Sequence, residues 1–196
     1  MIPSSRCVTQ KMNKSHTDKK LFSRVKKKDK DAFIEAYDLY IDDIYRFVYF
    51  KVSSSQEAED LTSTVFLKTW NYIQHQNIDK AKSLRALIYK IARNLIIDHY
   101  RSTKKIDASI DDENAGISIV DEKQNIARQA ETSSDFKIVE ENLLKLKDEY
   151  REIIVMRFID ELSFTEIAQI LGKSKDNVRV LVHRALGALR DLLKEK

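Results

Sequence analysis

Apolar residues recur at helical spacing in two blocks of the chain, separated by a stretch with no period at all. From about Asp31, the residues Phe33, Tyr37, Tyr40, Ile41, Ile44, Phe47 and Val48 share one face at i, i+4, i+7, i+8 spacing, which predicts an amphipathic helix. Ser54-Ser55-Gln56-Glu57 reads as a capping box that opens a second helix to about Tyr72. Ser83 caps a third, reaching about Arg101, with Leu84, Ile88, Ile91, Leu95 and His99 as its apolar stripe. Three helices with short connections predict one compact domain over residues 30–102. The preceding residues 1–29 show no apolar period and read as a mobile basic tail, within which Met12 offers an alternative start.

From Ser102 the character changes. Ile106, Ile110, Ile117, Ile119 and Val120 are scattered among Asp, Glu, Ser, Asn and Gly116, so residues 103–133 read as an acidic linker. The 32 residues from Ser102 to Ser133 would span about 30 Å as a flexible coil and roughly 100 Å when stretched. Such a tether can hold two domains on well-separated sites. Helical spacing resumes at Phe136, Val139, Leu143 and Leu146, then at Ile153, Ile154, Phe158 and Ile159, giving a second domain over 134–196. There Ser163-Phe164-Thr165-Glu166 is a second capping box, and Gly172 suits the left-handed turn that ends the short helix it opens. Ser174 then caps a last helix running almost to the end. A short capped helix, a glycine turn and a longer basic helix spell helix-turn-helix.

Composition fixes the class. Gly and Pro together number only four in 196 residues, too few for glycine-lined phosphate loops, hairpins or sandwich corners, so an all-α chain is expected. A single cysteine, Cys7, has no disulfide partner within the chain and no company for a zinc site, which fits a reducing compartment. No apolar run reaches a membrane span of roughly 18 residues, and the first residues lack the core of a signal peptide, so a cytoplasmic location is expected. The net charge of +4 is mild, but it is arranged in blocks: basic over Arg6–Lys30, acidic over Asp31–Asp60, basic over Arg85–Lys105, acidic over Asp107–Asp135, and basic after Lys173. Such blocks suit separate surfaces for different partners, although solvated helix faces give similar patterns.

The last helix carries the clearest chemistry. Val178, Val182, Ala185 and Leu189 line its packing face, and Asp176, Arg179, Val180, His183, Arg184 and Arg190 lie opposite. The second helix of this motif enters the major groove with its N-terminal residues at base edges. Arg179 is the first choice for a base contact, with Lys175 and Asn177 beside it. Lys173, Arg184 and the N–H groups near Ser174 suit phosphates, because helix N-termini attract anions. In the third helix of the first domain, Lys90, Arg93, Asn94, Ile97 and Arg101 lie opposite the stripe, with Tyr89 and Tyr100 to one side. Basic groups interleaved with aromatics suit an unstacked strand, and a solvated face with two packed tyrosines is the alternative. The four histidines have no metal-ligand spacing, and no nucleophile–base signature appears, so neither enzyme nor cofactor is expected.

Three segments together resemble the sigma-70 family of transcription initiation factors. Ala58-Glu59-Asp60-Leu61-Thr62 with Val65-Phe66-Leu67-Lys68-Thr69-Trp70 looks like its polymerase-binding helix. Leu84 through Asp98 resembles its promoter-melting and −10-reading helix. Tyr150-Arg151-Glu152, Leu162 through Gly172, and His183-Arg184-Ala185 resemble its −35-reading domain. Two domains with nothing intermediate are similar to the extracytoplasmic-function group. The resemblance implies binding to core RNA polymerase through Asp60, Leu61, Ser63, Thr64 and Phe66. It implies −10 contacts from Lys90, Arg93, Asn94, Ile97, Asp98 and Arg101, with the loop near Gln74–Lys82 as a capture site for a flipped base. It places −35 contacts on Lys173, Ser174, Lys175, Asn177, Arg179, Val180, His183 and Arg184. It also implies an anti-sigma partner, and a path for the linker acids Asp111, Asp112 and Glu113 through polymerase channels. Ser63-Thr64 stands where many relatives carry Gln-Glu, Leu87 where Trp is common, and Val180-Leu181 where a more polar pair is usual. A stand-alone helix-turn-helix regulator is the rival reading, and it leaves the Ala58–Trp70 segment unexplained.

Overall fold

The computed structural model describes residues 16–79, 81–107 and 141–194, of which 103–107 are described by backbone alone. Every regular element among them is helical. Helix α1 comprises residues 16–25, α2 Lys30–Val52, α3 Ser55–His75 and α4 Leu84–Asp107. In the second half, α5 comprises residues 141–145, α6 Asp148–Ile154, α7 Phe164–Leu171 and α8 Lys175–Lys194, and a π-helical turn over Val155–Ile159 follows α6.

The caps explain most of the boundaries. Ser54 Oγ accepts from the Glu57 N–H, and Ser83 Oγ accepts from the Ala86 N–H at 3.0 Å. Ser163 and Glu166 form the reciprocal capping box at the start of α7. Helix α7 ends at Gly172, whose φ of 64° is the left-handed conformation that costs other residues Cβ strain. A Cβ placed there would meet nothing within 4 Å. Gly172→Ala is therefore expected to cost about 1 kcal/mol, from backbone strain alone. Thermal melting checks this: a much larger loss would mean that the glycine also makes room for a neighbour.

The first domain differs from the sequence reading at its start. Part of the segment expected to be a tail is the helix α1, with Leu21, Phe22 and Val25 buried against the core. Three apolar residues over less than two turns, among lysines, show no period, so the pattern could not reveal it. Asp18 accepts from Tyr40 Oη at 2.6 Å and from the Arg85 N–H at 3.0 Å, so α1 supplies a second cap to α4. Arg24 pairs with Asp29 at 2.8 Å and Glu35 at 2.7 Å, and Asp29 caps α2 through the Ala32 N–H at 3.1 Å. Residues 1–15 and 108–140 lie outside the described part, and with them Cys7, Met12, Asp111, Asp112, Glu113, Phe136 and Val139.

The two halves do not stand apart. One continuous apolar cluster runs from Leu21 of α1 to Ala185 of α8. Helix α6 lies against α2, and α7 lies against α4. The chain is thus in a closed arrangement, although its expected tether is long enough to let the domains separate.

Candidate nucleic-acid interface

The helix-turn-helix is built as the capping signals required. Val178, Leu181, Val182 and Ala185 bury one face of α8. Lys173, Ser174, Lys175, Asn177, Arg179, Val180, His183 and Arg184 are all exposed on the other side and the adjoining turn. Ser174 Oγ accepts from the Asn177 N–H at 3.2 Å and fixes the start of the helix. Arg179 Nη1 lies 2.6 Å from Asp176 Oδ1, with its guanidinium 5.8 Å from the Phe164 ring. Arg157 covers the same ring at 4.6 Å and donates to the Leu162 carbonyl. Arg179 is thus held at the exposed end of α8. Lys173 Nζ lies 3.8 Å from Glu149 Oε1.

Helix α4 presents Lys90, Asn94, Asp98 and Arg101 as exposed residues, with Ile97 half-buried beside them. Arg101 and Asp98 approach to 4.0 Å. Tyr89 is a different matter. It is fully buried and tilted against Phe47 at 5.1 Å, so it cannot stack on a base, whereas Tyr100 keeps an exposed ring and donates to the Lys51 carbonyl. Leu87 is buried too, as part of the core. His99 lies edge-on to Tyr100 with Nε2 3.9 Å from Glu57, as a half-buried residue of the stripe.

Of the loop expected near Gln74–Lys82, Gln74 and His75 belong to the end of α3, and the described residues are held from both sides. Lys28 Nζ donates to the Gln74 carbonyl at 2.8 Å, Lys26 pairs with Asp79 at 3.1 Å, and the Lys82 N–H donates to Gln169 Oε1 of α7 at 3.3 Å.

On α3, Asp60 and Ser63 are exposed, and Leu61 and Thr64 are half-buried. Thr64 turns its hydroxyl back to the Asp60 carbonyl at 2.9 Å. Phe66 is only 4% exposed and stands edge-on to Tyr37, so it shapes this surface from beneath, while Leu67 is 71% exposed. Ile34, Tyr37 and Tyr72 are exposed as well.

The sequence reading missed the charged seam between the halves. Arg46 and Lys51 of α2 and Arg93 of α4 face Asp148 and Glu152 of α6 and Asp160 just beyond the π turn. Lys51 Nζ lies 2.6 Å from Asp148 Oδ2 and 3.9 Å from Glu152 Oε2, Arg93 Nε lies 2.9 Å from Glu152 Oε1, and Arg46 Nη1 lies 3.5 Å from Asp160 Oδ1. Arg85 reaches Asp43 at 3.1 Å and also donates to the Asp160 carbonyl, and Arg151 donates to the Phe50 carbonyl at 3.0 Å. Burial pushes the Asp160 carboxyl up to about 7, opposed by Arg46. Burial also raises Glu152, against the pull of Lys51 and Arg93. No signal in the sequence joins α2 to acids some hundred residues later. Arg93, expected at the −10 element, is consequently half-covered here.

Comparison with known proteins follows the same division. Residues 36–106 match the sigma-70 region 2 family and residues 137–189 match sigma-70 region 4. The ECF RNA polymerase sigma factor SigW of Bacillus subtilis is 34% identical over 184 residues, spanning 90% of this chain and 97% of the relative. The chain belongs to the ECF sigma factor family. Two solved structures have the same fold: CnrH, in complex with the cytosolic domain of CnrY, at a TM-score of 0.66, 20% identity and coverage of 92% of this chain and 99% of that one; and the sigma factor RpoE of Bartonella quintana, in complex with the anti-sigma factor NepR, at 0.63, 22%, 83% and 96%. Helices α2–α4 of this sigma factor carry the region 2 match, whereas α1 lies wholly before it. Region 4 takes in most of α8 with the helix-turn-helix. Among the described residues, no helix is long and apolar enough to cross a membrane.

Proposed function

We propose that this sigma factor brings core RNA polymerase to promoters by reading the −35 element with α8 and the −10 element with α4, and that it helps open the duplex there. The observation that carries this is the outer face of α8 with the turn before it: six residues of the helix and two of the turn are exposed together, and four apolar residues lock the opposite face into the domain. Asp60, Leu61, Ser63 and Thr64 of α3 hold the polymerase, with Phe66 supporting that surface from below. Lys90, Arg93, Asn94, Ile97, Asp98 and Arg101 meet the −10 strand. The cost of unstacking a duplex is offset by binding the exposed strand, and two tethered domains gain avidity without either one binding tightly alone. Bonds to phosphoryl groups are made by the polymerase and not by this chain, which works in the cytoplasm. The likeness to sigma factors captured with anti-sigma proteins supports such a partner here as well.

The test is promoter selection. Purified chain is combined with core polymerase from its own host and fragmented genomic DNA, and transcript 5′ ends are mapped. Discrete starts that require the chain and share paired upstream motifs are expected. DNA binding by the chain alone, with no chain-dependent starts, would point to a stand-alone regulator. Within that assay, Arg179→Ala is expected to cost about 1–3 kcal/mol at the base it reads and to leave polymerase binding intact. An equal loss on every −35 sequence would make Arg179 a phosphate contact.

A further inference from the structure

The seam between the halves has the chemistry of a nucleic-acid site already filled. Cations from two helices of the first domain, Arg46 and Lys51 on α2 and Arg93 on α4, converge on carboxylates of the second, two of them presented by one short helix. Asp148 and Glu152 sit one helical turn apart, which sets about 5–6 Å between their Cβ atoms. The Lys51 side chain is only 6% exposed and that of Glu152 only 4%, whereas Asp148 is 64% exposed at the rim of the seam. Buried ion pairs of this kind are weak sources of stability, because desolvation consumes most of the attraction. Cohesion between the halves comes from the shared apolar cluster and from Arg85 and Arg151, which donate across the seam to the Asp160 and Phe50 carbonyls, and the pairs of Lys51 and Arg93 add little to it.

Promoter geometry supplies one. Elements named −35 and −10 are about 25 base pairs apart, or roughly 85 Å along B-form DNA. Helix α4 is 24 residues long, about 36 Å at 1.5 Å per residue, and α7 lies directly against it. The closed chain cannot reach both elements, so α6 must leave the seam when the promoter is read. Departure uncovers Arg46 and Lys51 on α2 and Arg93 on α4, the helix that also carries Lys90 and Asn94, with the exposed ring of Tyr100 held against the Lys51 carbonyl. Lys51 and Arg93 then lose their second-domain carboxylates while Arg46 keeps only Asp43 of its own helix at 3.5 Å, and guanidinium and ammonium groups so released are suited to phosphate oxygens.

We propose that Arg46, Lys51 and Arg93 form a phosphate-binding strip for the promoter strand, and that in the closed chain Asp148 and Glu152 occupy its Lys51 and Arg93 positions, and Asp160 its Arg46 position, in place of phosphates. The strip extends the reading of α4 given above and rests on it. Second-domain acids thereby keep the free sigma factor off DNA until the halves separate.

The test uses the full chain and a fluorescein-labelled single-stranded oligothymidine, with binding followed by anisotropy as salt is varied. Asp148→Asn with Glu152→Gln is expected to tighten binding at least tenfold. Asp38→Asn with Asp42→Asn makes the same charge change on the exposed side of α2 and should tighten it far less. Adding Arg46→Gln and Lys51→Gln to the seam variant should cancel the gain and reduce the slope of log K against log salt by about 1.4, the contribution of two single-strand phosphate contacts. Equal tightening by both acid pairs, or an unchanged slope, would overturn the strip. Lys90→Ala with Asn94→Ala separates the two readings. If that variant binds less well while Arg46 and Lys51 have no effect, α4 reads the strand and the strip fails. If neither pair has any effect, the −10 reading of α4 fails as well. Should the seam variant not fold, Arg46→Gln with Lys51→Gln is tested in the reconstituted holoenzyme. There the strip predicts a shallower salt dependence of promoter opening, and an unchanged one overturns it.

Discussion

Leu21→Ala is expected to lower the unfolding free energy by about 2–5 kcal/mol, the range for removing a buried leucine side chain from a packed core. Leu21 is 2% exposed and lies with Phe22 and Val25 in the cluster that α2 and α4 also build. Domains of this size are stable by only about 5–15 kcal/mol, so the loss would be plain in a denaturant titration. Lys19→Ala, on the exposed side of the same helix, should stay within about 0.5 kcal/mol. Asp18→Ala should cost about 1–3 kcal/mol by leaving the Tyr40 hydroxyl and the Arg85 N–H without their acceptor. If Leu21→Ala behaved like Lys19→Ala, residues 16–25 would be the tail that their sequence suggests, and the second cap on α4 would not exist in solution.

Asp160 should make the closed arrangement weaken as the pH rises. Its carboxyl is raised from 3.8 to about 7, first by burial and then by Asp43, while Arg46 and Arg85 pull the other way, and Tyr89 faces it from α4. A group with a raised carboxyl pKa holds its proton in the closed chain and loses it in the unfolded or open one. Below about pH 4 both states are protonated and the pH has no effect through this group. Between about 4 and 7 the closed state binds more protons, so each pH unit removes up to about 1.4 kcal/mol of its advantage. Glu152 and Asp18 are raised by burial as well and add slopes of the same sign. Thermal stability is therefore expected to fall from pH 5 to 7.5, and Asp160→Asn should flatten that fall. A wild-type curve that rises across this range, or an Asp160→Asn curve as steep as the wild type, would show that Asp160 is solvated and already ionised.

Both expectations concern parts of the molecule that a single sequence reveals poorly. Helix α1 is hidden because its three buried residues are too few to set a period against Lys19, Lys20 and the lysines that follow. Tyr89 resembles a base-stacking residue because aromatic residues near basic ones suit that role, but Phe47 packs on it from α2 and leaves it no exposed face. Phe66 belongs to a family segment expected on the polymerase surface, yet Tyr37 covers it and Leu67 stands outside. The side chain that decides the matter for Tyr89 and Phe66 comes from a different helix, and the same holds for the core that buries α1.

What the sequence determined by itself is local. The Ser54, Ser83 and Ser163 caps, the left-handed turn at Gly172 and the basic exposed face of α8 all depend on residues within a few positions of one another, where spacing alone fixes which groups meet. Helix class, the order of the two matched regions and the exposed face of α8 follow from that. Tertiary structure alone decided the docking of α6 on α2 and α4. Lys51 meets Asp148 across 97 positions and Arg46 meets Asp160 across 114, and no periodicity links charges so far apart. Ion pairing at that range is set by how the apolar faces of the two halves stack, and only once they stack do the cations of the first domain find their partners.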